Sequence, residues 1–426
     1  MKKWRVIIPL FLLISVETAW AQTSLHPFNN GFTLSVSHSE ESGLAGLSLL
    51  IYGGAQFETS EQRGTYRLVL DMLLRGTQSR TVDDISLSIS QFGDAIDTYI
   101  TSDYWALEAT ASPEDMDLLI ELVHDLIRHS LFLDKELDKA KKIAVQTIRT
   151  NQDSPLHMGI DFYRAVFYPD FHASPEQMVD NIEMVEREDV LSVYKRFFNP
   201  NNMVLALSGN LNRDEVVRAV TASFGKDTDE GLPVVREIKR QQPGSLPALE
   251  ERQGGITQAG IIIGTRLEGF DRKDALLIEV LNALLDNSLG GRLFEELREK
   301  RSLVYSISPY FSMRIQPYTW FILATTRKRN INRVIRITKR VMHDLVETPP
   351  GEEELRLAKN YVATRLAASY QSPLRRAHYE AERLIRAEQV LSLDQRFKAI
   401  ENVKLEDIHT FIDHYAAADW TALIVR

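Results

Sequence analysis

Apolar positions along the 426-residue chain switch between two rhythms. Residues 32–37 and 46–52 are short apolar runs of strand length. Residues 63–75 and 82–92 repeat at three- and four-residue spacing, the first strongly apolar and the second amphipathic, which predicts two helices. Residues 95–100 and 104–110 flank a Thr-Ser-Asp turn in the manner of a hairpin. Two long helical patterns follow at 113–130, with Pro113 suited to a first turn, and at 134–150.

The pattern then recurs. Glu121-Leu-Val-His-Asp-Leu126 returns as Arg340-Val-Met-His-Asp-Leu345, ELDKAKK from Glu136 as ELRLAKN from Glu354, and EREDVLSVYKRFF from Glu186 as KLEDIHTFIDHYA from Lys404. The last two share one offset: Leu137 and Leu355, like Asp189 and Asp407, stand 218 positions apart. The same offset carries the apolar run Met203–Ala206 onto Thr421–Ile424. Segments repeating at one spacing imply duplicated structural units. The chain is therefore expected to hold two homologous halves, 22–225 and 251–426, joined by an exposed linker at 226–250 that contains Pro233, Pro243 and Pro247. Each half alternates strand and helix signals, so the predicted fold is α+β: a mostly antiparallel sheet with helices packed on one face, twice over, forming a clamshell around a cleft.

Composition narrows the chemistry. Apolar residues make up 44% and charged residues 26%, a folded mixture rather than a disordered or fibrous one. Fifty Lys and Arg against 59 Asp and Glu give a net charge of −9, which argues against a nucleic-acid partner or an anionic lipid surface. The chain has no cysteine, which excludes disulfides, thiolate metal sites and a thiol nucleophile. At the start, Lys2, Lys3 and Arg5 precede the apolar run IIPLFLLISV and then Ala19-Trp20-Ala21. That order predicts a signal peptide at 1–21, cut after Ala21, and export, most simply to a bacterial periplasm. About 10 apolar residues are too few to span roughly 30 Å of hydrocarbon, and no later stretch is long and apolar enough to cross a bilayer.

Ten histidines offer no compact metal motif. His124 and His129, like His409 and His414, are five apart, about 140° around a helix. His38 beside Glu40 and Glu41 reads as a solvated turn. No H-x-x-x-H, G-x-S-x-G or Walker loop occurs.

The segment GTYRLVLDMLLRGT, Gly64 to Thr77, resembles the inverzincin signature G-x-A-H-x-x-E-H-M-L-F-x-G-T of the pitrilysin/insulinase metallopeptidases. Gly64, Thr65, Met72, Leu73, Gly76 and Thr77 agree with it, GDAIDTYITSDYWALEA from Gly93 resembles the hairpin that follows, and the repeat matches the family's two-half design. The chemical positions differ. The resemblance puts Arg67 and Asp71 where the family has its zinc histidines and Leu70 where it has the glutamate that activates water. The family's third ligand, a glutamate about 76 residues further on, falls on Thr147. A hydrolytic zinc needs three converging neutral or anionic ligands and a water. A permanent cation, an aliphatic chain, one acid and a hydroxyl do not supply them, nor does Leu70 accept a proton. The simple reading of Arg67 and Asp71 is an ion pair one helical turn apart.

In the second half, LGGRLFEELREKRSLVYSISPYF from Leu289 to Phe311 resembles the family's S-x-L-F-x-x-L-R-E-x-x-G-L-A-Y-S, with Ser302 where glycine is usual. The resemblance makes Arg298 and Tyr305 the arginine–tyrosine pair that contacts bound peptide, donors suited to the charge that builds on a carbonyl oxygen during hydrolysis. It implies the non-catalytic, substrate-binding subunit of a zinc metallopeptidase heterodimer, with no cofactor in this chain. Zinc and the base would belong to a homologous partner with intact H-x-x-E-H. The alternative is a stand-alone scaffold that binds peptides without cleavage by strand addition, for which Gly53-Gly-Ala-Gln-Phe-Glu58 resembles the family's edge strand. An independent peptidase with a rearranged metal site has no visible ligand set.

Overall fold

Among the described residues the first half forms the strands β1 (Thr23–Pro27), β2 (Thr33–His38), β3 (Ala45–Tyr52), β4 (Asp97–Ile100), β5 (Tyr104–Ala111) and β6 (Met203–Gly209), all but β1 falling on the runs read above. They lie in one sheet in the order β1-β2-β6-β3-β5-β4, antiparallel except where β2 runs beside β6. All eight residues of β3 are buried, because both faces of the sheet are covered; such a strand reads as a continuous apolar run rather than an alternation. The structure, a computed structural model, describes residues 23–40, 43–93, 95–228, 239–242, 244–286, 290–313, 315–416 and 419–426. The segment read as a signal peptide lies outside the described residues, as do Glu41, Pro233, Pro243 and Leu289. No helix among the described residues is long and apolar enough to cross a membrane.

The α-helices of this half among the described residues are α1 (Thr65–Leu73), α2 (Val82–Gln91), α3 (Met116–Arg128), α4 (Asp134–Asn151), α5 (Pro155–Phe167), α6 (Pro175–Met184), α7 (Arg187–Phe197) and α8 (Arg213–Ala222). The helical pattern at 113–130 opens as a tight turn, Pro113–Asp115, in which Ser112 Oγ accepts from the Asp115 amide, before α3 proper. Leu34, Leu47 and Leu49 of the sheet pack against Val69, Leu119 and Leu126 of the helices in one core.

The second half repeats the plan with β7 (Leu249–Arg252), β8 (Gln258–Leu267), β9 (Val304–Ser312), β10 (Tyr318–Arg327) and β11 (Thr421–Val425). Their order is β7-β11-β8-β10-β9, and β7 beside β11 is the parallel pair. Its helices are α9 (Ala275–Leu285), α10 (Arg292–Phe294), α11 (Ile331–Glu347), α12 (Glu352–Tyr370), α13 (Pro373–Ile385), α14 (Leu393–Asn402) and α15 (Leu405–Phe411). The 218-residue offset holds element by element: Asp134 and Glu352, Pro155 and Pro373, Pro175 and Leu393, Arg187 and Leu405, and Met203 and Thr421 are the first residues of corresponding elements. Leu249 and Glu250, inside the stretch read as linker, start β7. Upstream of them, Gln316 donates its amide to the Lys239 carbonyl, and the Gln241 amide donates to Gln316.

Each sheet carries its own half's helices on one face. The other face is covered by a helix of the opposite half, which the sequence pattern does not show. Phe162 and Phe167 of α5 join Ile262, Phe321 and Leu423 of the second sheet, while Ala377, Ala381 and Ile385 of α13 join Leu50, Ala106 and Val204 of the first. Two glycines admit the exchange. A Cβ on Gly46 of β3 would fall well inside 3.0 Å of the Leu374 backbone, and one on Gly260 of β8 would meet the Pro155 carbonyl at 2.5 Å. At both contacts the first turn of the incoming helix rests on bare backbone.

Candidate functional site

Helix α1 carries the residues of the motif, and its start is fixed by a buried acid. Gly64 turns the chain into the helix at φ 96, and Glu58 Oε1 accepts from the amides of Gly64 (3.0 Å) and Tyr66 (2.9 Å). Burial pushes the Glu58 carboxyl up to about 7; the Tyr66 amide, the Arg63 charge and the Gly64 amide pull in the other direction. Tyr66 stacks on Trp105 of β5 with ring centroids 5.4 Å apart, which seats the helix on the sheet.

One face of α1 opens onto a cavity of about 670 Å³, lined among others by Arg67, Asp71, Thr98 and Thr147, with Ile143 and Ile148 supplying apolar wall. Arg67 donates from Nε and Nη2 to Asp71 Oδ1, both at 3.0 Å, and from Nη1 to the Thr98 carbonyl at 3.0 Å. Thr147 turns its hydroxyl back onto its own helix, donating to the Ile143 carbonyl at 2.9 Å. Leu70 does not line the cavity; it is fully buried in the core of the first half. The structure thus brings Arg67, Asp71 and Thr147 together and leaves Leu70 aside.

This set does not fit zinc. The acid is neutralised by a guanidinium that would repel a dication, the hydroxyl is committed to backbone, and the general-base position is aliphatic and dry. No group of three or more His, Asp or Glu side chains among the described residues is placed to hold a metal ion.

The second-half residues lie apart. None of the residues lining the α1 cavity comes from the second half. After the loop at Gly290 and Gly291, α10 widens into a π-type turn over Glu295–Glu299 that carries Arg298. Ser302 then reverses the chain at φ 48, a left-handed conformation that suits the glycine usual there, with its amide bonded to the Arg298 carbonyl. Arg298 Nη1 donates to the Tyr305 carbonyl at 3.0 Å, and its guanidinium sits 5.4 Å from the Phe294 ring. Tyr305, in β9 at the edge of the second sheet, is 49% exposed and accepts from Arg327 Nε at 3.3 Å.

Two expectations change. Gly53–Glu58 is not an edge strand: it leaves β3 in the sheet interior, curls into a tight turn at Ala55–Phe57, and bonds the Gly53, Ala55 and Gln56 amides to the carbonyls of Asp103, Thr101 and Ser102. The free edge beside the cavity is β4, whose Thr98 carbonyl already takes a donor from outside the sheet. The alternation in Asp-Thr-Tyr-Ile was the available signal, since it places Thr98 and Tyr99 on opposite faces. The other concerns His124 and His129, whose rings meet edge to face at 5.6 Å because His129 caps α3 outside helical geometry. Each bonds a different carboxylate, Asp227 and Asp125.

Comparison with known proteins agrees with this architecture. Residues 34–169 match the family model described as insulinase (peptidase family M16), and residues 185–362 match that described as the peptidase M16 inactive domain. The chain is similar to an uncharacterized zinc protease of Streptomyces coelicolor, 24% identical over 310 residues that cover 71% of this chain and 67% of that one. It is also similar to the uncharacterized zinc protease YmxG of Bacillus subtilis, 22% identical over 399 residues that cover 91% and 96%. Among solved structures, a protease from Helicobacter pylori superposes with a TM-score of 0.84 at 16% identity, over 95% of this chain and 100% of that one. A peptidase M16 inactive domain from Pseudomonas fluorescens superposes with a TM-score of 0.80 at 18% identity, over 95% and 98%. With both halves matched, in order and over most of their length, the chain belongs to the M16 peptidases, the insulinase or pitrilysin family.

Proposed function

We propose that the chain is the non-catalytic, substrate-binding subunit of an exported zinc metallopeptidase heterodimer, acting in the periplasm after removal of residues 1–21. The observation that carries this reading is the Arg67–Asp71 ion pair on α1, formed by the two residues that the sequence resemblance aligns with the family's zinc histidines. The match of residues 185–362 to the M16 inactive domain supports it.

Arg298 and Tyr305 would then serve bound peptide. Because the Tyr305 hydroxyl accepts from Arg327, its own proton is left to donate outward, and Arg298 beside it supplies fixed positive charge. Both are suited to a carbonyl oxygen that gains negative charge. Neither activates water. A homologous partner with intact H-x-x-E-H would supply the zinc and the base, and the separation of Arg298 and Tyr305 from the α1 cavity suits pairing across two chains.

The test is reconstitution. The purified chain is expected to be zinc-free and inactive, and mixing with the partner should restore cleavage of a peptide substrate. Arg298→Ala or Tyr305→Phe should lower that activity by about 10²-fold, the scale of losing one oxyanion donor. Full activity from the partner alone would refute the proposal. The second reading, a peptide-binding scaffold without cleavage, is favoured by the free edge of β4; it predicts peptide binding with no metal-bearing homologue in the complex recovered from the native host.

A further inference from the structure

The edge strand β4 separates two cavities. Thr98 lines the one over α1, and its neighbour Tyr99 lines a second, of about 410 Å³, on the opposite face of the sheet beneath α13. The walls differ in chemistry. The α1 side offers Leu74, Val82, Ile143 and Ile148, with Arg67 neutralised by Asp71 and Arg75 by Glu136. The α13 side gathers Arg375, Arg376, His378 and Arg396, with Glu108 as its one acid and Tyr99, Tyr370 and Tyr379 as aromatic walls.

The charges on the α13 side are unequally committed. Glu108 Oε1 is held by Ser48 Oγ and by His378 Nδ1, both at 2.7 Å, and the carboxylate keeps its ionised form because these bonds outweigh its burial. Arg376 is fastened to Ser208 Oγ (2.9 Å) and the Tyr370 carbonyl (2.6 Å). The Arg396 guanidinium lies 4.0 Å from the centre of the Tyr379 ring and also feels the charge of Glu279, and Arg375 is exposed at the mouth. With His378 pairing off Glu108, the guanidiniums leave a positive surplus facing the flank of β4.

We propose that this cavity is a subsite for an acidic side chain of an extended peptide lying along β4. The inference rests on the peptide-binding reading above. A peptide added as a further strand sends successive side chains to opposite faces. Those on the α1 face meet apolar wall and those on the α13 face meet Arg375 and Arg396, so the preferred sequence alternates apolar with acidic residues. The outward Thr98 carbonyl, now bonded by Arg67, is the acceptor such a strand would take over.

The experiment uses the full mature chain and fluorescein-labelled, end-blocked octapeptides of alternating Leu/Glu, Leu/Gln and Leu/Lys, read by fluorescence anisotropy at low salt. The Leu/Glu peptide should bind at least tenfold more tightly than Leu/Gln, and Leu/Lys most weakly. Arg375→Gln/Arg396→Gln should bring Leu/Glu to the affinity of Leu/Gln while leaving Leu/Gln unchanged, and N-methylation of alternate amides should abolish binding of both. Equal affinity for Leu/Glu and Leu/Gln, or binding that survives N-methylation, would overturn the subsite while leaving peptide binding intact. Absence of binding by all three peptides would instead defeat the peptide-binding reading itself.

Discussion

If Arg67, Asp71 and Thr147 stand where zinc ligands would stand, restoring three ligands should restore a metal site without restoring catalysis. The variant is Arg67→His/Asp71→His/Thr147→Glu, with Leu70 kept. Keeping Leu70 matters because it is fully buried; a glutamate there would forfeit roughly 2 to 3 kcal/mol of apolar burial and add the cost of desolvating a carboxyl. The three other changes are mild. Arg67 and Asp71 form an ion pair one turn apart with the arginine 44% exposed, worth about 0.3 to 0.5 kcal/mol. Arg67 also gives up its bond to the Thr98 carbonyl, worth about 1 kcal/mol, and Thr147 loses only a bond to its own helix. The metal-free variant should therefore melt within a degree or two of wild type. At free zinc about 100 times the dissociation constant, binding stabilises the folded state by about 2.7 kcal/mol. Unfolding entropy of roughly 2 cal/mol/K per residue, summed over this chain, turns that into a rise of about 3 °C. Differential scanning fluorimetry with and without zinc, and metal content after gel filtration, read the outcome. A well-folded variant that takes up no zinc would refute the placement of these residues at the ligand positions. A zinc-dependent rise in wild type would refute the claim that they exclude the ion.

Three further outcomes follow from single residues. Glu58 has a folded-state carboxyl near 7 against about 4.5 unfolded; a raised carboxyl favours the folded state at low pH, so its contribution fades as pH climbs from 4.5 to 7, by about 3 kcal/mol, and is flat above. Glu58→Gln keeps the acceptor oxygen for α1 and should flatten the difference in urea midpoint between pH 5 and pH 8. Ser302 at φ 48 should accept glycine with a net gain of about 0.5 to 1 kcal/mol, the relief of left-handed strain less glycine's greater unfolded freedom, visible as a higher melting temperature. Gly46→Ala should cost about 3 kcal/mol by driving a Cβ into the start of α13, and should expose α13 to limited proteolysis before the rest of the chain.

What was legible in the sequence was local or repeated. Strands β2 to β6, the α1 and α4 helices and the doubled plan follow from short-range periodicity and repetition, whereas β1 and β7 do not, and the 218-residue offset is carried by helix starts such as Pro155 and Pro373 that the sequence shows twice. The exchange of α5 and α13 was not legible. An amphipathic helix declares that it has an apolar face but not which sheet that face will meet, and Ala377 and Ala381 would suit either. The one trace was a glycine inside an otherwise apolar strand, Gly46 and again Gly260, which marks a close backbone approach without naming the neighbour. At the site, the spacing of 67 and 71 correctly placed two side chains on one helix face. It did not separate Leu70, whose position between that face and the core is decided by how the helix rolls against the sheet. The edge strand was misplaced for a related reason: Gly53–Glu58 is glycine-rich and follows a strand, but the sheet order that buries it is set by β5 and β6, far away in sequence.

The ion pair also bears on how the α1 cavity is walled. A zinc bound at 67, 71 and 147 would tie α1 to α4. Here the two helices meet instead through an apolar wall in which Ile143 and Ile148 of α4 face the same space as Leu74, just past the end of α1. Arg67 makes its long-range bond in another direction, to the Thr98 carbonyl of β4. Beside the Arg75–Glu136 ion pair that joins the end of α1 to α4, Arg67 thus adds a link between α1 and the sheet edge. Arg67 thereby ties α1 to the strand on which, in the proposed reading, a peptide would lie, and it cannot serve as a general base. On the proposed reading, the first half keeps a cavity and a free sheet edge suited to an extended chain. For that reason peptide affinity and peptide cleavage should separate cleanly in the isolated protein: the first measurable without zinc, the second absent until a metal-bearing partner is present.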